Sequence, residues 1–215
     1  ARRGMPRTPW ESLADRRSRR AAIEDPADVL AAAARFLEAR PRSSDEVRRR
    51  LRDAGYRADL VDGALERLTE LGYVDDAAFA RAWVESRDRA RPRGARALRD
   101  ELRRMGVPAA DAEAALAARE ARASGADPDD PRLVPGAGER AASEASDDAA
   151  AARLLARKGA GLLREADLPK RRAKAYALLA RGGFDPGTAG RVSAAWLAKT
   201  GTISTDDDAE PAAEP

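Results

Sequence analysis

The sequence predicts an all-α fold, an elongated tandem array of three three-helix repeats. Three observations lead there. Alanine and arginine dominate while β-branched residues are scarce, a balance that favours helices. Apolar residues recur at helical spacing through most of the chain. The pattern Leu-x-x-x-Gly-apolar occurs at Leu51–Tyr56, Leu68–Tyr73, Leu102–Val107 and Leu179–Phe184. That pattern marks a helix ending on a left-handed glycine, with the next apolar residue folded back onto the last turn.

The elements follow in order. Residues 1–25 read as a basic arm, with seven arginines in the first twenty positions against Glu11 and Asp15. Repeat 1 spans 26–72, with helices expected at about 26–40, 44–54 and 58–71. Val29, Ala33, Phe36 and Leu37 form one apolar stripe. Val47, Leu51 and Ala54 form the second, and Leu60, Val61, Ala64, Leu65, Leu68 and Leu71 the third. Ser43 and Glu46 fit a capping box. Repeat 2 spans 73–122, with helices at 77–90, 93–105 and 108–119. Pro108 suits a first-turn position, where its missing N–H costs nothing. Residues 123–146, rich in Pro, Gly, Ser and Ala, read as a flexible linker. Repeat 3 spans 147–199, with helices at about 148–159, 169–182 and 186–198. Residues 200–215 carry Asp206, Asp207, Asp208, Glu210 and Glu214 without a basic residue, and are expected to be a disordered acidic tail.

The chemistry available is narrow. Cysteine and histidine are both absent, which removes disulfides, thiolates, the commonest general base and the commonest transition-metal ligand. Arg93-Gly94-Ala95-Arg96 is not a Walker motif, and Gly159-Ala160-Gly161 lacks the rest of a dinucleotide fingerprint. Trp10, Trp83 and Trp196 read as packing residues. The adjacent Asp75 and Asp76 raise the question of a carboxylate metal site. They follow a helix-stopping glycine, so one is expected to cap the next helix and the other to complement its dipole. An enzyme is disfavoured, and no metal or cofactor is expected. No apolar run reaches the length of a membrane span, and the basic N-terminus has no hydrophobic signal core, so the expectation is a cytoplasmic protein without membrane contact.

Positive charge recurs on the middle helix of each repeat. Repeat 1 has Arg48, Arg49, Arg50 and Arg52. Repeat 2 has Arg91, Arg93, Arg96, Arg99, Arg103 and Arg104. Repeat 3 has Lys170, Arg171, Arg172, Lys174 and Arg181. The third helices of the first two repeats lean acidic, through Asp59, Asp62, Glu66 and Glu70, then Asp111 and Glu113. Two readings stay open: solvated faces, or a discontinuous basic strip that meets an anionic partner. On the second reading the main contact set is Arg87, Arg93, Arg96, Arg99 and Arg103. Arg48, Arg49, Arg52, Lys170, Arg171 and Lys174 form a secondary strip. Arg96, Arg99 and Arg103 share one helical face, away from Leu98 and Leu102. For Arg87 a packing role through its long stem is the alternative.

The run Leu71-Gly72-Tyr73-Val74-Asp75-Asp76-x-x-Phe79-Ala80, then Arg87, Arg93-Gly94 and Glu101-Leu102-Arg103-Arg104-Met105-Gly106-Val107, resembles the central signature of the bacterial RecX regulatory proteins. Arg104 and Met105 depart mildly from the residues usual before that glycine. The resemblance is strong over about 26–120 and weaker over 147–198. It implies a monomeric, non-enzymatic regulator that lodges in the groove of the RecA recombinase filament on DNA and inhibits ATP hydrolysis and strand exchange. Single-stranded DNA within or beside the filament is an implied further contact. The competing reading is a helical protein that binds DNA phosphates directly through its basic middle helices.

Overall fold

Polar caps set where the helices begin. A computed structural model describes residues 12–124 and 139–202. Ser12 and Asp15 form a capping box for α1 (Leu13–Ala21). Asp25 caps α2 (Pro26–Leu37), with proline in the first turn. The expected box of Ser43 and Glu46 opens α3 (Ser44–Ala54), and α4 (Ala58–Glu70) follows. Asp75 accepts the Ala78 N–H at 2.8 Å and so caps α5 (Asp76–Ala90). The chain continues through α6 (Ala95–Arg104) and α7 (Ala109–Ser124). Next comes α8 (Glu139–Lys158), which runs into a 3-10 turn over Gly159–Arg164. Asp167 caps α9 (Leu168–Arg181), and Asp185 accepts the Thr188 N–H at the start of α10 (Pro186–Thr202). No strand occurs among the described residues.

The helix ends match the pattern that predicted them. Gly55, Gly72, Gly106 and Gly183 have φ of 103°, 73°, 74° and 81°, and they are the positive-φ residues of the described chain. Tyr56, Tyr73 and Phe184 donate their N–H groups back to Leu51, Leu68 and Leu179, the leucine of each pattern. The apolar return thus closes the last turn and satisfies a carbonyl the helix would leave open.

Two compact units result. The first takes the chain up to Ala80 together with Arg103–Asp111. Its core is Val29, Ala33, Val47, Leu51, Val61, Ala64, Leu65, Leu68 and Val74. The predicted stripes therefore point inward, except that Leu71 lies beyond the end of α4 and is exposed. The second takes Arg81–Leu102 together with the chain from Ala112. Within it Ala150, Ala151, Leu154, Leu155, Ala175, Leu179, Phe184, Ala189 and Val192 form one apolar cluster.

Helix extends into the three segments read as a basic arm, a flexible linker and a disordered tail. α1 lies inside the expected 1–25 arm, α8 begins inside the expected 123–146 linker, and α10 reaches Thr202 inside the expected 200–215 tail. Residues 1–11, 125–138 and 203–215 of those segments, with Trp10, lie outside the described residues. The linker reads as irregular because it is rich in Pro, Gly, Ser and Ala and has almost no apolar pattern. Alanine alone supports helix strongly, and the alanine-rich 139–150 stretch of α8 buries Ser146, Asp147 and Ala150.

Candidate basic interface on the middle helices

The middle helices α3 and α6 are held at their N-termini by one device, built once in each unit. In the first unit the carboxylate of Asp76 accepts the Ser44 N–H at 2.8 Å and also the Ser44 hydroxyl. The Ser43 hydroxyl donates to the Met105 carbonyl, and Gly106 rests against the side chain of Asp45, where a Cβ would collide. In the second unit the carboxylate of Asp147 accepts the Ala95 N–H at 3.1 Å through both oxygens. Gly94 donates to the Gly182 carbonyl at 3.2 Å and leaves no room for a Cβ beside Gly183 and Phe184. Gly183 in turn approaches Ala97 too closely to carry one. Asp76 thus does more than complement the dipole of its own helix, since it caps α3 from outside. Among the described residues no cluster able to hold a metal ion occurs.

The second of these joints is anchored by a buried arginine. Arg119 on α7 is 3% exposed and donates to Asp147 at 2.8 Å, to Asp88 at 3.0 Å and to the Arg93 carbonyl at 3.0 Å. Burial pushes the Asp147 carboxyl above its ordinary range, against the opposing pull of the Ala95 N–H and the Arg119 charge. Sequence reasoning missed Arg119, Asp88 and Asp147. One signal was available: an arginine inside the alanine-rich stretch of α7 on the same face as Ala112, Ala115 and Leu116, all buried.

The five residues of the main predicted contact set divide in two. Arg87 stacks on Trp83 at 4.2 Å and its Nε reaches Glu101 at 2.7 Å, so its side chain is engaged in packing. Trp83 donates to the same carboxylate at 2.9 Å. Arg93 is half-buried, donates to the Arg181 carbonyl at 3.2 Å and lies 3.7 Å from Glu101. Arg96, Arg99 and Arg103 are exposed on α6 at positions that share one helical face. Asp100, four residues after Arg96, joins that face. Arg99 holds Glu113 of α7 through two bonds of 2.6 and 2.9 Å. These hydrogen bonds keep the Glu113 carboxyl below its ordinary range and raise Arg99. Arg96 has no ion pair among the described residues.

The secondary strip is paired in the same fashion. Arg48 and Arg52 of α3 reach Asp62 of α4 at 3.3 and 3.0 Å. Arg49 binds Asp45 at 2.8 Å and donates to the Arg104 carbonyl. Arg50 lies over Phe36 at 5.8 Å. Lys170 is 3.5 Å from Asp167, Lys174 is 2.5 Å from Glu165, and Arg171 donates to the Glu165 carbonyl at 2.7 Å. The acidic bias of the third helices therefore has a physical partner, as Asp62 and Glu113 each neutralise arginines of the preceding middle helix. Most of these pairs are exposed, and such pairs contribute roughly 0–1 kcal/mol each, so an incoming anion can replace the carboxylate at little cost.

Comparison with known proteins bears on this arrangement. Residues 30–68 match the family model for the RecX first three-helix domain, and residues 75–116 match that for the RecX second three-helix domain. The regulatory protein RecX of Prosthecochloris aestuarii is 42% identical over 81 residues, covering 38% of this chain and 54% of that protein. Its counterpart from Mycobacteroides abscessus is 45% identical over 83 residues, covering 39% of this chain and 41% of that protein. The matches thus span about half the length of these relatives. The crystal structure of RecX from Lactobacillus salivarius superposes with a TM-score of 0.57 over 82% of this chain and 98% of that one, at 17% identity, a likeness of fold.

Proposed function

We propose that this chain, whose residues 30–68 and 75–116 match the RecX first and second three-helix domains, is a non-enzymatic cytoplasmic regulator that binds the RecA recombinase filament on DNA and inhibits ATP hydrolysis and strand exchange. The observation that carries this reading is the double domain match, which encloses α3 and α6, the helices that display the basic faces. The exposed α6 face of Arg96, Arg99 and Arg103 is the main contact. Arg87 and Arg93 support it from behind, because both converge on Glu101 of the same helix. Arg48, Arg49 and Arg52 on α3, with Lys170, Arg171 and Lys174 on α9, extend the contact. No helix among the described residues is long and apolar enough to cross a membrane.

Recombinase ATP hydrolysis on single-stranded DNA tests the proposal. Titrating in this protein lowers the rate, and the R96A/R99A/R103A variant requires a severalfold higher concentration for the same effect. An unchanged rate at saturating wild-type protein overturns the filament reading. Equal binding to bare and recombinase-coated DNA, with a steep loss in salt, would instead assign direct phosphate binding.

A further inference from the structure

One guanidinium of the first unit lacks the partners its burial calls for. Arg42 lies in the turn between α2 and α3, and its side chain is 18% exposed. Its Nε is shielded from water and donates to nothing among the described residues. The Glu46 carboxylate comes to 3.8 Å from its Nη1, an ion-pair distance too long for a hydrogen bond. A charge taken this far out of water is costly unless it is hydrogen-bonded. An anion at its outer nitrogens would offset that cost.

Glu46 does not fill this role, because its oxygens are engaged elsewhere. One accepts the Ser43 N–H at 3.3 Å and closes the α3 capping box. The other accepts from Arg40 at 2.9 Å. Asp45, the other acid of the first α3 turn, is held by Arg49 at 2.8 Å. Arg50 follows Glu46 by four residues and so shares its side of α3. It is exposed and has no ion pair among the described residues. Arg40 and Glu46 neutralise each other, which leaves Arg42 and Arg50 as a surplus of positive charge.

The ring of Phe36 on α2 brings these two arginines together. The guanidinium carbon of Arg42 lies 4.4 Å from the ring centre and that of Arg50 lies 5.8 Å from it. Both are within cation–π range. Phe36 packs against the core of the first unit, so the ring is a fixed support. Guanidiniums held this way lose little freedom on binding, and their planar forks match the oxygens of a phosphate. Arg48 and Arg52 lie roughly opposite on α3, where they settle on Asp62. This corner is therefore distinct from the paired strip.

We propose that Arg42 and Arg50, set around Phe36, form a phosphate-binding site on the α2–α3 corner. Arg40 holds Glu46 to its capping role, so the incoming phosphate meets two positive charges and displaces no carboxylate. Two positive charges suit a phosphate dianion better than a single carboxylate. A nucleotide phosphate and a polynucleotide backbone supply the same oxygens. The site does not depend on what the α6 face binds.

The test follows the side-chain Nε–Hε resonances of Arg42 and Arg50 in the full ¹⁵N-labelled chain at constant ionic strength. The probes are inorganic pyrophosphate, a nucleoside triphosphate and a thymidine decamer. Both resonances should move saturably with a phosphate probe. Saturation by pyrophosphate places recognition in the phosphate alone, and saturation by the decamer alone assigns a polynucleotide backbone. Arg50→Lys keeps the charge, loses the fork and should weaken binding severalfold. Phe36→Leu keeps an apolar side chain against the core, loses the ring and should weaken it similarly. The response should persist in R96A/R99A/R103A, and its loss there overturns a separate site. Resonances unmoved by millimolar pyrophosphate and decamer overturn the proposal. So does a response that Arg50→Lys and Phe36→Leu leave unchanged, which would reduce it to screened surface charge. An equal response to a glutamate-rich peptide overturns the phosphate assignment in favour of an acidic protein.

Discussion

Asp76 and Asp147 perform the same task in different surroundings. Each comes from the first helix of a three-helix set and accepts the first N–H of the preceding middle helix, Ser44 for Asp76 and Ala95 for Asp147. Asp76 is half-exposed and shares its second oxygen with a serine hydroxyl. Asp147 is buried, faces a bare alanine and depends on the buried Arg119 for charge. A cap near water is a local matter, replaceable by any side chain with an acceptor in the right place. A cap in the interior needs a counter-charge, and that counter-charge must be held by further partners, here Asp88 and the Arg93 carbonyl. One hydrogen bond thus becomes a network that reaches α5, α6, α7 and α8.

The largest effect should come from breaking that network. Arg119→Ala leaves Asp147 without its counter-charge and Asp88 with Arg153 alone, at 3.7 Å, and should cost roughly 3–5 kcal/mol in urea unfolding. Asp76→Ala removes a cap without stranding a buried charge, and should cost about 1 kcal/mol. Equal losses would mean that Arg119 exchanges its partners for water, and the contrast between the joints would fail.

The glycines sharpen the same contrast, because backbone strain and close approach can be separated. Gly72 and Gly183 have nearly the same φ, 73° and 81°. A Cβ at Gly72 meets nothing within 4 Å, whereas at Gly183 it runs into Ala97. Gly72→Ala should therefore cost about 1–2 kcal/mol, the left-handed penalty alone. Gly183→Ala adds overlap with α6 and should reach roughly 2–4 kcal/mol. Matching values would show that the chain around Ala97 yields freely.

How far the sequence reached follows from these residues. The helix stops were legible because a left-handed glycine flanked by apolar residues is a local signal, independent of tertiary context. That one of Asp75 and Asp76 caps α5 was legible for the same reason, and the Ala78 N–H assigns the cap to Asp75. The partner of Asp76 was not, because Ser44 is thirty-two residues away and only the fold brings it near. Gly94 was noticed but its reason was not, since the backbone of Gly182 and Gly183 that crowds it is distant in the chain. The arginines of α6 were found as a face. That Arg87 and Arg93 turn onto Glu101, and that Glu113 neutralises Arg99, required side-chain geometry. The buried Arg119 network was missed because an isolated arginine reads as surface by default, although its register with Ala112, Ala115 and Leu116 put it on a buried face.

A smaller effect should appear in the pH dependence of the second joint. Asp147 has its pKa raised by burial from an ordinary value of 3.8. Between the ordinary and the raised value, the folded chain keeps a proton that the unfolded chain has released. The contribution of this group to stability therefore rises as pH falls through the raised pKa, and is complete below the ordinary one. Asp147→Asn does not titrate there. The stability difference between wild type and Asp147→Asn should accordingly shift in favour of the wild type between pH 7 and pH 4, read by urea unfolding at each pH. A shift in the opposite direction would mean that the charge of Arg119 outweighs the burial of Asp147.

The smallest effect concerns the exposed pair that joins α7 to α6, the helix whose N-terminus the buried network holds. Arg99 and Glu113 are joined by two short bonds, yet their side chains are 47% and 54% exposed. Water and salt screen such a pair, and holding two long side chains in register costs entropy that offsets the attraction. A double-mutant cycle on Arg99→Ala and Glu113→Ala should return a coupling of roughly 0.2–1 kcal/mol, smaller still at high salt. That weakness is what the proposed contact needs, since a phosphate or an acidic partner can then take the guanidinium from Glu113 without unfolding anything. Glu113→Ala should leave Arg99 free and tighten binding to the filament slightly, seen as a lower concentration for half-inhibition of ATP hydrolysis. A coupling well above 1 kcal/mol would move Arg99 into the structural set beside Arg87, and the exposed face of α6 would rest on Arg96 and Arg103.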